Sequence, residues 1–420
     1  MKKTLFIVFA LLILQNTNAQ WTKTTFSAGL AFSLTSDEDG NLYAGSLNMP
    51  GVYYSEDDGN TWSDISNGFP QLYFNVIKVF NNNIYVGNSK GSIYKSTDHG
   101  ASWQKLNTGM DTLTTYVWHL ESFENNIFAG TTNKGIYTST DNGESWQQHN
   151  SGIVGLATRS LYASSTDLFA GVNSKYAYRY DSINLSWAGS GNGMPNNSIN
   201  AFTEAIDENG NKYLFAGLDE YGTEVAVSTD NGINWAASDA GLPNVPVYTF
   251  AVVGSNVFLG NYYGVHRSTD FGANWEDIKT GLNQGGSPCK YLTIGKSNLF
   301  VIQGGAVWKR AFSDFGITSA EETEEEVPNS FELSQNYPNP FNPSTTIKYS
   351  IPNDEKRETS NVKLIVYDIL GKEVATLVNN QQKAGNYEVN FNASNLPSGI
   401  YFYQISAENF TEVKKMTLLK

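Results

Sequence analysis

Apolar and polar residues alternate with a period of two over many short runs of this chain, and clusters of Gly, Asn, Asp and Ser separate the runs. Such a pattern predicts β-strands joined by tight turns. One stretch shows it in full. Tyr73 to Val79 alternates as a first strand, Ile84 to Gly87 forms a second, Ser92 to Ser96 a third and Trp103 to Leu106 a fourth. Asn81, Asn82 and Asn83 make the first turn and Ser89 to Gly91 the second. A different pattern opens the chain: Lys2 and Lys3 precede an apolar run from Leu5 to Leu14, followed by the small residues Thr17 and Ala19. This order predicts a secretory signal over residues 1–19, with an apolar run too short to span a bilayer.

The four-strand pattern recurs in step with two phrases. The first, SxDxGxxW, appears as Ser55/Asp57/Gly59/Trp62, Ser96/Asp98/Gly100/Trp103, Ser139/Asp141/Gly143/Trp146, Ser228/Asp230/Gly232/Trp235 and Ser268/Asp270/Gly272/Trp275, with a worn copy ending at Trp187. In it the Asp can accept amide hydrogen bonds within its own turn, the Gly permits positive φ, and the Trp covers the hairpin. The second phrase, (L/I/V)(Y/F)xG, begins at Leu42, Ile84, Ile127, Leu168, Leu214 and Val257, and at Leu299 without its Gly. The starts are 42, 43, 41, 46, 43 and 42 residues apart. That period is the length of a four-stranded propeller blade, so seven units predict a seven-bladed β-propeller over residues 20–311.

The two ends of the repeat complement each other. After Val307 to Arg310 the seventh unit has no box and no Trp, while Trp21 precedes Trp62 by the same 41 residues that separate Trp62 from Trp103. Trp21 to Phe26 is therefore expected to complete the last blade and close the ring. The single cysteine, Cys289, excludes an intramolecular disulfide framework and any CxxC metal site. The formal charge of −14 is uneven, with −10 over residues 20–311 and −6 over the Glu-rich segment 312–330, which reads as a solvated linker. An acidic body without a basic stripe argues against nucleic acid as a partner.

The box resembles the Asp-box, or bacterial neuraminidase repeat, of sialidases, sortilin-like receptors, xyloglucan-cleaving glycosidases and photosystem II assembly factors. The resemblance covers residues 21–311. It implies that Asp57, Asp98, Asp141, Asp230 and Asp270, with Trp62, Trp103, Trp146, Trp235 and Trp275, are structural. It also places the boxes on the face opposite the usual site.

Beyond the linker, YPNPFNPSTTIKYSIP from Tyr337, VYDILGKEVATLV from Val366, AGNYEVNFNASNLPSGIYFYQI from Ala384 and a final KKMTLLK alternate over short runs with turns between them. The pattern alone predicts a small immunoglobulin-like β-sandwich. These motifs closely resemble the type A sorting domain of the type IX secretion system over residues 331–420. The resemblance implies secretion machinery as a partner, export through the periplasm, and a destination in the medium or on the outer cell surface. The whole is thus expected to be all-β, a propeller followed by a sandwich, and monomeric.

Candidate chemistry is sparse. Sialidases need three converging Arg, whereas the propeller has only Arg159, Arg179, Arg267 and Arg310, the last three at the ends of third strands. Asp219 and Glu220 could face Asp111 or Asp239 across the top surface, which keeps a glycoside hydrolase as the alternative reading. The four His are scattered without HExxH spacing, so no metal or cofactor is expected. Loops on one rim carry Tyr73, Phe74, Tyr116, Trp118, Tyr176, Tyr221, Tyr262 and Tyr263. Exposed rings suit a glycan or a surface protein. Binding without catalysis is the expected function, with Tyr262, Tyr263, Tyr221 and Trp118 as ligand contacts, while Tyr73, Tyr116 and Trp118 could equally be core.

Overall fold

The computed structural model describes residues 20–47, 49, 51–70, 74–111, 115–173, 177–195, 198–219, 222–282, 286–317, 330–336, 338–352, 359–382, 384–393, 396–407 and 410–419. The chain divides into two compact units, Met1–Ile317 and Thr318–Lys420. The expected signal, residues 1–19, lies outside the described residues, as do residues 318–329 of the acidic segment.

The first unit is built from seven antiparallel four-stranded sheets. Blade 1 holds Ala31–Ser36, Leu42–Ser46, Gly51–Ser55 and Ser63–Asp64 in that order. Blades 2 to 6 repeat it, starting from Phe74–Phe80, Val117–Phe123, Thr158–Ala163, Ile199–Ile206 and Val247–Val253. Each first strand lies beside the first strands of the two neighbouring blades, and that of blade 7, Tyr291–Ile294, lies beside that of blade 1. The ring is closed, and its innermost strands surround a central channel.

Closure happens as the chain ends foretold. Blade 7 takes Tyr291–Ile294, Asn298–Gln303 and Ala306–Ala311 from one end of the domain and Thr22–Lys23 from the other, pairing Thr22 with Lys309 and Lys23 with Trp308. Trp21 is buried, its amide donates to Thr280 O at 2.9 Å, and its indole donates to Ile278 O at 2.9 Å. The same indole bond, to the residue three places after the preceding box Trp, recurs from Trp103 to Ile65, Trp187 to His149, Trp235 to Ser190 and Trp275 to Ser238. Trp21 thus fills the missing box position bond for bond. Asp58 adds a lock at the seam: its carboxylate accepts from the amides of Lys296 and Ser297 and from the side chains of Ser297 and Asn298.

The two phrases acquire physical reasons. In all five full boxes the Ser hydroxyl accepts from the Gly amide and donates to the Asp, while the Asp accepts from the backbone and side chain of the residue before the Trp. These bonds favour the carboxylate, holding Asp57 and Asp230 down at about 2. The worn copy turns on Asp181 instead, which accepts from Ile183 and Asn184. The Gly of the second phrase is a packing requirement. A Cβ on Gly87 would sit 2.6 Å from Val117 of the next blade, and one on Gly217 2.8 Å from Val247. Blade 7 carries Ile302 there, and blade 1 answers with Ala31 where its siblings carry larger side chains such as Phe74, Val117, Ile199 and Val247.

One boundary needs correction. Residues 312–317, read as the start of a linker, belong to the propeller. Phe312–Phe315 form a 3-10 turn, Phe312 and Phe315 are buried against Phe258 and Leu299, and the guanidinium of Arg310 lies 4.4 Å from the Phe315 ring centroid. Acidity predicted solvation, but two phenylalanines outweigh one carboxylate there.

The second unit is a two-sheet sandwich. Glu332–Leu333, Ser344–Ile351 and Gly385–Asn392 form one sheet. Glu373–Gln382, Ser360–Tyr367, Gly399–Ala407 and Phe410–Leu418 form the other, in that spatial order. Alternate residues of both sheets, Ile347 and Tyr349 against Leu364, Val366, Tyr403 and Ile405, fill the core. The polar residues of the opening motif are stitched in: Asn336 donates to Thr345 Oγ1 and Pro338 O, and Asn339 accepts from the Thr417 amide.

Candidate functional site

The propeller's first strands share a feature that positions a ring of side chains. In blades 1 to 6 the register with the second strand slips by one residue at the strand's start, leaving Phe32, Asn75, Trp118, Arg159, Asn200 and Tyr248 unpaired in turn. Lys290, next to the start of blade 7's first strand, takes the corresponding place. A bulge re-aims the extra residue, and here it aims each one at the axis. Together they edge a cavity of about 530 Å³ at the channel mouth, whose wall also includes Lys78, His119, Glu121, Asp219 and Tyr291.

The ring is chemically lopsided. On one arc Arg159 is ion-paired with Asp219 and donates to Asn200 Oδ1 at 3.0 Å, while Asn200 Nδ2 donates to Asp219 Oδ1 and Val247 O at 3.0 Å each. Lys78 and Glu121 pair at 3.2 Å. On the other arc Phe32 packs 6.4 Å from Tyr291, whose hydroxyl reaches Asn75 O at 3.4 Å, and the Lys290 ammonium stands 5.8 Å from the Tyr248 ring centroid. Burial pushes the Tyr291 hydroxyl up to about 12, so it stays a donor. His119 is held down at about 3 by burial and by Lys78, so it stays neutral. Its Nδ1 and the Nδ2 of Asn75 are buried without a hydrogen-bond partner.

Of the ligand contacts expected from sequence, Trp118 lines the cavity with 46% of its surface exposed. Tyr262 and Tyr263 are exposed, edge to face at 5.7 Å, but line no part of it. They sit in the turn after Asn261, beyond the end of the blade's second strand, and so outside the ring of bulges. Phe74, read as a rim residue, is core at 1% exposure, whereas Tyr116, which could have been core, is exposed. Tyr73, Tyr176, Tyr221 and Glu220 lie outside the described residues.

Among the described residues, Asp219, Asp111 and Asp239 are not brought together. Asp219 is in the cavity but neutralised by Arg159. Asp111 pairs with Lys134 at 2.8 Å, Asp239 lies by Glu224, and neither lines the cavity. Arg179, Arg267 and Arg310 are held elsewhere by Asp167, Glu276 and Asp314. Cys289 is buried and its thiol pushed up to about 12. Among the described residues, no group of three or more His, Cys, Asp or Glu is placed to hold a metal ion.

Sequence reasoning missed Phe32, Asn75, Asn200, Tyr248, Lys290 and Tyr291. A positional signal existed: in blades 2, 3, 4 and 6 the bulged residue stands 12 before the Gly of the second phrase. Asn, Trp, Arg and Tyr at that column share no chemistry, and longer turns displace it in blades 1 and 5.

Comparison with known proteins separates the two units. Residues 335–418 match the secretion system C-terminal sorting domain. The tail is a secretion sorting domain. This sorting domain directs export by the type IX system to the cell surface or the medium. Within the propeller, residues 50–192 match the family described as sortilin, neurotensin receptor 3. No curated protein matches the chain. Solved propellers share the fold at low identity. YCF48 bound to D1 peptide is 16% identical with a TM-score of 0.52, covering 70% of this chain and 96% of that one. YCF48 from Cyanidioschyzon merolae is 14% identical with a TM-score of 0.53, covering 70% and 98%. Virginiamycin B lyase from Staphylococcus aureus is 11% identical with a TM-score of 0.56, covering 69% and 97%. The sorting domain thus carries a propeller whose own chemistry must be read from its site.

Proposed function

We propose that the exported propeller is a non-catalytic binding protein that takes a carbohydrate or a segment of a surface protein at the channel mouth. The observation that carries this reading is the bulged ring. A side chain from each of the seven blades edges one cavity. The cavity mixes aromatic faces with fixed polar groups and has a volume typical of small-ligand sites. Its two carboxylates, Glu121 and Asp219, are each paired with a cation. Engaged in these ion pairs, neither is left as the free acid or nucleophile that glycoside hydrolysis requires. An open mouth with few anchors supports micromolar or weaker affinity. The peptide-bound state of YCF48, which shares this fold, is compatible with a protein ligand as well as a glycan.

The test is a glycan-array and pull-down screen with the chain from Gln20 onward, repeated with Phe32→Ala/Trp118→Ala. Ligands lost on the double substitution, without a change in melting temperature, support the mouth as the site. Retention of every ligand by that variant refutes it, and turnover of a glycoside that Asp219→Asn abolishes would make the protein a hydrolase.

A further inference from the structure

The charge inventory of the mouth narrows the ligand class, given the binding role proposed above. Three cations, Lys78, Arg159 and Lys290, meet two carboxylates, Glu121 and Asp219, leaving the wall at +1 inside a domain whose residues 20–311 sum to −10. The two carboxylates are consumed by Lys78 and Arg159. Lys290 is exposed and, among the described residues, has no carboxylate partner, only the Tyr248 ring at 5.8 Å. Across the same cavity the buried Nδ2 of Asn75 donates to nothing. A cation without a carboxylate partner, beside open aromatic faces, is the complement of an anionic group on a ligand with an apolar face.

The backbone argues against a peptide strand as the source of that anion. Inner-edge groups of the first strands are already capped from neighbouring blades: Ile77 N by Ser33, Leu292 N by Thr249, Ile199 O by Ser160 and Val247 O by Asn200. Strand addition needs free edge groups, and these are occupied. What remains open is side-chain chemistry, the rings of Trp118 and Phe32 beside one cation. An acidic body also repels a polyanion, while a single anionic group inside a positive mouth is attracted at short range. We infer that the channel mouth recognises a saccharide bearing a single uronate, its carboxylate held by Lys290 and a sugar face stacked on Trp118 or Phe32.

The experiment is calorimetric titration of the chain from Gln20 to Lys420 with a panel of aldobiouronates of gluco, galacto and manno configuration, each paired with the neutral disaccharide that has CH₂OH in place of the carboxylate. At least one pair is expected to favour the acid by tenfold or more. Lys290→Ala should erase that preference, bringing the acid's affinity level with its neutral partner's, and Trp118→Ala should weaken both members alike. The exposed position of Lys290 keeps the first variant folded, which its melting temperature checks. Equal affinities within every pair, or a preference that survives Lys290→Ala, overturn the carboxylate contact but leave a binding protein. A short peptide with a free C-terminal carboxylate that outcompetes every saccharide overturns the sugar class. A glycan and pull-down screen of the unsubstituted protein that finds no ligand at all would instead remove the binding reading itself.

Discussion

Replacing Trp21 with Ala tests the closure of the ring at its most exposed assumption, that two residues of strand beside one indole hold the first and last blades together. The side chain is 2% exposed and donates to Ile278 O at 2.9 Å. Burying an indole removes roughly 150–250 Å² from water. At about 25 cal/mol per Å² this is worth about 4–6 kcal/mol as an upper bound, and Trp→Ala in cores costs about 3–5 kcal/mol. Trp21→Phe keeps most of the ring. The carbonyl it deserts still accepts from Arg310 Nη1 at 2.8 Å, so that change should cost only about 1 kcal/mol. The internal control is Trp62→Ala, where the indole is only partly buried and its N–H has no partner. All nine tryptophans lie between Trp21 and Trp308, so fluorescence in urea follows the propeller without interference from the sandwich. Trp21→Ala should lower the urea midpoint by about 1 M or more, for a slope of about 3 kcal/mol/M. A shift no larger than that of Trp62→Ala would show that the N-terminal strand does not close the ring.

The remaining predictions probe blade contacts, boxes, titration and export. A Cβ at Gly152 (φ +88°) would stand 2.0 Å from Trp187 O of the next blade, whereas one at Gly210 (φ +81°) meets nothing within 4 Å. Gly152→Ala should therefore cost at least about 2 kcal/mol more than Gly210→Ala, which bears only the left-handed strain of about 1–2 kcal/mol, as paired thermal melts will show. Asp141→Ala removes the acceptor for the Ser139 hydroxyl and for the amide and hydroxyl of Ser145, and should cost about 1–3 kcal/mol while ligand binding persists; loss of binding at unchanged stability would place the site on the box face. His119, by burial and Lys78, and His266, chiefly by burial, are held down at about 3 and about 4 from an ordinary 6.5. The folded state then binds fewer protons than the unfolded one between these values. Stability is thus untouched above about pH 6.5 and falls as pH drops from there towards 4, before the box carboxylates titrate; His119→Gln with His266→Gln should flatten that limb of a pH–stability curve. Deleting residues 331–420 should leave a folded propeller stranded in the periplasm, which fractionation of the native host checks, and normal export would contradict the sorting role.

Much of this protein was legible in the sequence because its determinants are local. A box of eight residues contains its own hydrogen-bond partners, so Ser139, Asp141 and Gly143 define a hairpin wherever they occur, and repetition at a blade's length then implies a ring. Even the closure was written as a spacing, since Trp21 to Trp62 repeats the interval from Trp62 to Trp103. The candidate site was decided by tertiary structure alone, because its members lie one per blade and meet only when the ring closes. Sequence named Tyr262, Tyr263, Tyr221 and Trp118 as contacts, yet the bulges aim single residues at the axis, Trp118 among them, and leave the adjacent Tyr262 and Tyr263 outside the cavity. It read Asp219 as a possible acid, yet Arg159, 60 residues away in the chain, neutralises it. Phe74 and Trp118 both stood as rim aromatics near the start of a first strand. One residue of register puts the first in the core and the second in the channel, since the faces of a strand alternate and a bulge decides which face comes next.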